Sequence, residues 1–111
     1  MGSFNVLTTT VKCSNCKNIY QGRIQFRYGN TWQIEYRIGD KLEWGGNQIG
    51  NPNEKKVKAY GILESELCPA CGKVNKNNEF DILVENSVLV NVTIMQNYDY
   101  EGEGNYMVLE S

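Results

Sequence analysis

Apolar and polar residues alternate along much of the chain with a period of two, the mark of a strand that buries one face. From Tyr20 to Tyr28 the even positions hold Tyr20, Gly22, Ile24, Phe26 and Tyr28, and the odd positions hold Gln21, Arg23, Gln25 and Arg27. Thr31 to Ile38 repeats the pattern, with Trp32, Ile34, Tyr36 and Ile38 against Thr31, Gln33, Glu35 and Arg37. Gly29 and Asn30 lie between the two runs as a turn. A two-residue loop would set Phe26 opposite Gln33 on one face, which a half-buried sheet does not tolerate. A three-residue loop over Tyr28-Gly29-Asn30 instead pairs Phe26 with Trp32 and Ile24 with Ile34 inside. Outside, it pairs Arg23 with Glu35. Asn30 then takes the left-handed position of that loop. The pattern therefore predicts a hairpin over residues 20–38, with an aromatic and aliphatic core face and a Gln/Arg outer face.

Further strands follow from the same alternation. Phe4 to Val11 and Val57 to Glu66 read as strands, and Phe80 to Met95 reads as a hairpin turning at Glu85-Asn86-Ser87. In that hairpin Phe80, Ile82 and Val84 share one face of the first strand. Val88, Val90, Val92 and Ile94 share one face of the second, whose β-branched content suits a central place in a sheet. Leu42 and Trp44 continue a short strand, and Tyr106 to Leu109 makes a short last one. Residues 45–53 are rich in Gly, Asn and Pro and form the longest irregular stretch, a length that in a compact domain signals function or mobility. Residues 97–105 are acidic and read as flexible. No amphipathic helix of ten residues or more can be placed. The fold class expected is mainly β with little or no helix, in a single domain over residues 1–111, the usual size for one core.

The cysteines add chemistry to this picture. Cys13, Cys16, Cys68 and Cys71 form two C-x2-C pairs separated by 51 residues, and the chain has no histidine. A metal held here has four thiolate ligands, the set that a closed tetrahedral zinc site uses. Pro69 stiffens the second turn. Gly72 can take a positive φ at no steric cost, which turns backbone N–H groups toward the sulfurs. The first turn, CSNCKN, has no glycine, so Asn18 or, less readily, Lys17 must take the bend. Neither pair opens a helix as a redox dithiol does, and a disulfide framework does not suit a reducing compartment.

The motifs Cys13-Ser14-Asn15-Cys16 and Cys68-Pro69-Ala70-Cys71-Gly72 resemble those of the zinc-ribbon, rubredoxin-like class. The resemblance implies two β-hairpin knuckles clasping one structural zinc ion, with the inserted residues enlarging the sheet between them. It also brings in a less favoured alternative, in which iron replaces zinc and the site moves electrons.

Charge narrows the choice of partners. Residues 1–76 carry eleven bases and six acids, a net of +5, and residues 77–111 carry seven acids and no base, a net of −7. That composition offers no uncompensated basic face, which weakens a nucleic-acid reading. The residues singled out as binding candidates are Arg23, Arg27 and Arg37 on the outer face, and Trp44 and Asn47 at the 41–53 loop. Without histidine there is no ready general base at neutral pH, so no enzyme is expected. The start MGSFNV has neither a basic nor an apolar signal region, and Val6 stands where a myristoylation motif wants Ser or Thr. No apolar run approaches the roughly 20 residues that span a bilayer. The expectation is a cytoplasmic, zinc-stabilised binding module with no evident small-molecule substrate. Its partner is expected to be another protein, in an accessory, regulatory or toxin-neutralising role in bacteria. A nucleic-acid-binding zinc ribbon is the alternative.

Overall fold

The computed structural model describes residues 4–46, 48–95 and 106–110. All regular structure among them is strand: β1 (Asn5–Lys12), β2 (Ile19–Phe26), β3 (Gly29–Asn30), β4 (Glu35–Tyr36), β5 (Gln48–Ile49), β6 (Lys56–Leu63), β7 (Glu79–Glu85), β8 (Val88–Ile94) and β9 (Tyr106–Glu110). The fold is mainly β, as the alternation predicts. Seven strands form one curled sheet in the order β4-β1-β2-β6-β7-β8, with β9 also paired to β6, while β3 and β5 pair separately.

The two cysteine motifs sit in the turns of two adjacent antiparallel hairpins. In the first, β1 and β2 pair from Lys12↔Ile19 at the knuckle to Asn5↔Phe26 at the far end. In the second, β6 and β7 pair from Ile62↔Glu79 to Lys56↔Glu85. The hairpins join directly, because β2 pairs with β6 at Ile24↔Leu63, Gln25↔Ile62 and Phe26↔Gly61. Both knuckles thereby project from the same end of the sheet.

This arrangement corrects the expectation for the insertion, which does not enlarge the sheet between the hairpins. It folds at the far end, where β4 adds in parallel beyond β1 at Val6↔Glu35 and Leu7↔Tyr36. The hairpin predicted over residues 20–38 does not form. β2 takes β1 and β6 as its neighbours, and the Gly29-Asn30 segment pairs with β5. Gly29, at φ 84°, holds the left-handed position rather than Asn30. Trp32, expected opposite Phe26 in the core, is 70% exposed, and Ile38 is also on the surface.

The β7–β8 hairpin forms as predicted, but with a two-residue turn in which Asn86 and Ser87 both have positive φ. That conformation matches the right-handed twist of paired strands. A register shift between Leu83 and Val84 then reverses which residues of β8 face inward. A bulge leaves one residue unpaired and turns the following side chains to the other face. As a result Leu89 is fully buried and Val90 is exposed, and β8 lies at the edge of the sheet rather than its centre.

One cluster of buried side chains lines the inner face of the curl. Leu7 and Val11 come from β1, Ile24 and Phe26 from β2, Val57, Ala59 and Leu63 from β6, and Phe80, Ile82 and Val84 from β7. The insertion covers the far end of this core with Tyr28, Tyr36 and Leu42, all buried, and with half-buried Trp44. Tyr28 packs edge-on against Trp44 at 5.4 Å and meets Tyr106 of β9 at 5.0 Å. Buried Asn5 secures the insertion's backbone by donating to Tyr28 O at 3.1 Å and accepting from Ile34 N at 3.2 Å.

Candidate metal centre

Each knuckle is a tight turn built from the same hydrogen bonds. In the first, Cys13 N donates to Asn18 O at 3.0 Å and Lys17 N to Cys13 O at 3.1 Å. In the second, Cys68 N donates to Lys73 O at 3.0 Å and Gly72 N to Cys68 O at 2.8 Å. The sulfur of the leading cysteine accepts a backbone N–H in both, from Asn15 at 3.3 Å to Cys13 and from Ala70 at 3.4 Å to Cys68. The residue after each second cysteine carries the left-handed bend. Gly72 has φ 72°, as expected, and Lys17 has φ 65°. Of the two residues the sequence offered for the first bend, the structure uses Lys17 rather than Asn18. Lys17 Nζ donates to Ser14 O at 2.9 Å across its own turn.

The four sulfurs lie within 4.8 Å of one another, positioned to bind a metal ion. Two contacts cross from knuckle to knuckle, Cys13 Sγ to Cys71 Sγ at 3.8 Å and Cys16 Sγ to Cys68 Sγ at 3.7 Å. A tetrahedral ion with sulfurs at about 2.3 Å sets its ligands about 3.8 Å apart, so both contacts already match the edge of a coordination tetrahedron. Cys13 and Cys68 are buried, while Cys16 and Cys71 are half-buried. The Cys16 N–H, assisted by that of Asn15, stabilises the thiolate of Cys13 and brings it down to about 6. At Cys16 the Asn18 N–H acts in the same direction. It is outweighed by burial and by the other three thiols, which push Cys16 up to about 11.

A buried amide ties the knuckles together. Asn75 Oδ1 accepts from Ser14 N at 3.1 Å and from Asn77 N at 3.0 Å, and its Nδ2 donates to Lys12 O at 3.2 Å and Tyr20 Oη at 3.1 Å. Two further bonds run alongside, Lys76 N to Ser14 Oγ at 2.8 Å and Asn15 Nδ2 to Val74 O at 2.7 Å. Asn75 was not among the sequence candidates, yet a signal for it exists. Overlaying the two C-x2-C motifs places Asn75 on Tyr20, each seven residues after its leading cysteine, and these equivalent residues bond to each other. The pairs Lys12↔Ile19 and Leu67↔Val74 are equivalent in the same way.

The other candidates do not gather at the clasp. Arg23 projects from the outer face of β2 and pairs with both Glu35 and Glu64. Its contact with Glu35 is the one that the sequence paired, although it reaches across β1 rather than along a hairpin. Arg27 and Arg37 are exposed, and the Arg37 N–H bonds Asp40 Oδ2 at 2.8 Å. Trp44 donates from Nε1 to Ser87 Oγ at 3.0 Å and packs on the core, so its contacts are structural. Asn47 lies outside the described residues. No helix among those residues is long and apolar enough to cross a membrane. Comparison of the chain with family models, with curated proteins and with solved structures finds no match.

Proposed function

We propose that the four cysteines hold one structural zinc ion and that the chain is a zinc-stabilised β module acting by binding another protein, with no catalytic step of its own. The observation that carries this reading is the closed four-thiolate set. Four sulfurs satisfy a tetrahedral ion completely, whereas catalytic zinc keeps a position open for water or substrate. Cys13, Cys16, Cys68 and Cys71 supply the ligands, and the N–H groups of Asn15 and Ala70 stabilise the charge on the inner pair. The ion supplies cross-linking of the two hairpins. A reducing compartment such as the cytoplasm keeps the thiolates available.

A protein partner is favoured over nucleic acid by two features. Arg23, the central cation of the Arg/Gln face, is engaged by two carboxylates. Trp32, a residue type enriched in binding hot spots, stands exposed. Elemental analysis of protein purified under reducing conditions tests the metal. One zinc per chain with no visible absorption supports the reading, and iron with a red chromophore replaces it with electron transfer. Mobility shift against single- and double-stranded nucleic acid across a salt series tests the partner class. Retardation with a steep salt slope, lost on Arg27→Gln with Arg37→Gln, overturns the protein-binding reading.

A further inference from the structure

The way the sulfurs pair across the site points to a second clasp. In each of the two contacts of 3.7–3.8 Å between the knuckles, one sulfur is half-buried and its neighbour is buried: Cys71 with Cys13, and Cys16 with Cys68. Both contacts run between knuckles. Oxidation along them joins the two hairpins covalently, whereas disulfides within each C-x2-C would close each knuckle on itself and leave the hairpins unlinked. We infer that a peroxide converts the centre from a metal clasp to a pair of inter-knuckle disulfides, Cys13–Cys71 and Cys16–Cys68, that hold the same fold. This inference rests on reading the cluster as a metal centre.

The chemistry balances sulfur by sulfur. The Cys71 thiolate, reachable from solvent, attacks a peroxide oxygen. The O–O bond breaks, Cys71 becomes a sulfenic acid and hydroxide leaves. The Cys13 thiolate, 3.8 Å away, then attacks the Cys71 sulfur, the S–O bond breaks, and a second hydroxide leaves as the disulfide forms. Two electrons pass from two sulfurs to one peroxide. Cys16 and Cys68 repeat the sequence with a second peroxide, and the metal departs as a free cation. The accessible sulfur of each pair meets the oxidant and the buried one resolves it, so each contact holds both parts the reaction needs. Lys12, Ser14 and Tyr20 remain bonded to Asn75 or to its neighbours, which keeps the knuckles in register while the metal leaves.

The test treats the metal-loaded native chain with a small excess of hydrogen peroxide and follows metal release with a chromophoric chelator. Remaining thiols are then blocked with N-ethylmaleimide, and tryptic fragments are sequenced by mass spectrometry. The expected result is recovery of the fragments holding Cys13/Cys16 and Cys68/Cys71 joined, with fragmentation assigning Cys13–Cys71 and Cys16–Cys68. The oxidised, metal-free chain is expected to keep a cooperative thermal transition that dithiothreitol abolishes. Separate fragments with internal Cys13–Cys16 and Cys68–Cys71 bonds overturn the inference, as do Cys13–Cys68 and Cys16–Cys71 linkages or joined chains that have lost their transition. Reduced protein that carries no metal overturns the metal reading instead, and the disulfide connectivity is then read on the metal-free chain.

Discussion

Asn75→Ala should be among the most damaging single changes away from the metal ligands. The side chain is fully buried and makes four hydrogen bonds, two accepted and two donated, to partners on both sides of the clasp. At a net contribution of about 1 kcal/mol per bond, the upper estimate is about 4 kcal/mol. Ser14 and Tyr20 are only half-buried and Lys12 is exposed, so water can reach part of what is uncovered. That lowers the expected loss to about 2–4 kcal/mol, a large share of the roughly 5–15 kcal/mol by which domains are stable. A metal held by all four cysteines would couple its binding to folding, because neither knuckle alone completes the set. A loss of about 3 kcal/mol should therefore weaken apparent metal affinity by roughly 100-fold, at tenfold per about 1.4 kcal/mol. Guanidinium denaturation of the metal-loaded chain measures the first quantity, and competition with a chromophoric chelator at neutral pH measures the second. A change below about 1 kcal/mol with unaltered chelator competition would refute the claim that Asn75 couples the knuckles.

Removing the metal under reducing conditions should abolish the cooperative thermal transition or lower its midpoint sharply, since such an ion can contribute on the order of 10 kcal/mol to folding. A calorimetric scan unchanged after complete chelation would contradict this. Lys17→Gly should stabilise the chain by up to about 1 kcal/mol, because it relieves the positive φ of the first knuckle. Gly72→Ala should destabilise it by a similar amount through backbone strain alone, since a methyl there meets open space. Equilibrium unfolding of both variants in parallel checks the opposed signs. Tyr28 and Tyr36 are pushed up chiefly by burial, with the hydrogen bond to Glu54 adding to the effect at Tyr28. Folding thus favours the neutral phenols: their contribution is intact below the ordinary tyrosine value of about 10 and is lost as pH rises beyond it. Denaturation midpoints should fall above about pH 10, less steeply in Tyr28→Phe, and equal slopes in the two proteins would exclude Tyr28 as the cause.

The parts of the fold legible in the sequence are those written in contiguous residues. C-x2-C between two strand-forming runs marks a knuckle hairpin, and both such hairpins are present with the cysteines at their turns. What alternation cannot specify is which strand lies beside which. The run from Tyr20 to Phe26 does bury Ile24 and Phe26, but its neighbours are β1, whose Thr8-Thr9-Thr10 hides the apolar period, and β6, thirty residues further on. Arg23 and Glu35 do pair, but across the intervening β1 rather than along a hairpin, because long side chains also meet over a strand. Period alone puts Trp32 inside, whereas it is exposed. The turn that carries it is fixed instead by nonlocal backbone bonds, such as Gln33 N to Phe4 O at 2.9 Å. In β8 a single bulge undid a correct strand assignment and exchanged Val90 for Leu89 in the core. At the centre itself the spacing of the cysteines announces the cluster that the structure assembles, while Asn75 stands in a polar run, since an amide's value depends on what surrounds it.

The 51 residues between the second and third ligands also set a timetable. At about 5–20 residues per second, synthesis takes roughly 3–10 s to pass from Cys16 to Cys68. Throughout that interval the first hairpin has emerged with two of the four thiolates and no partner knuckle, and for most of it β2 lacks its second neighbour, β6. A newborn chain therefore passes through a stage in which half a centre is open to stray cations, to oxidants and to the thiols of other chains. Only the arrival of Cys71 and, four residues later, Asn75 closes it.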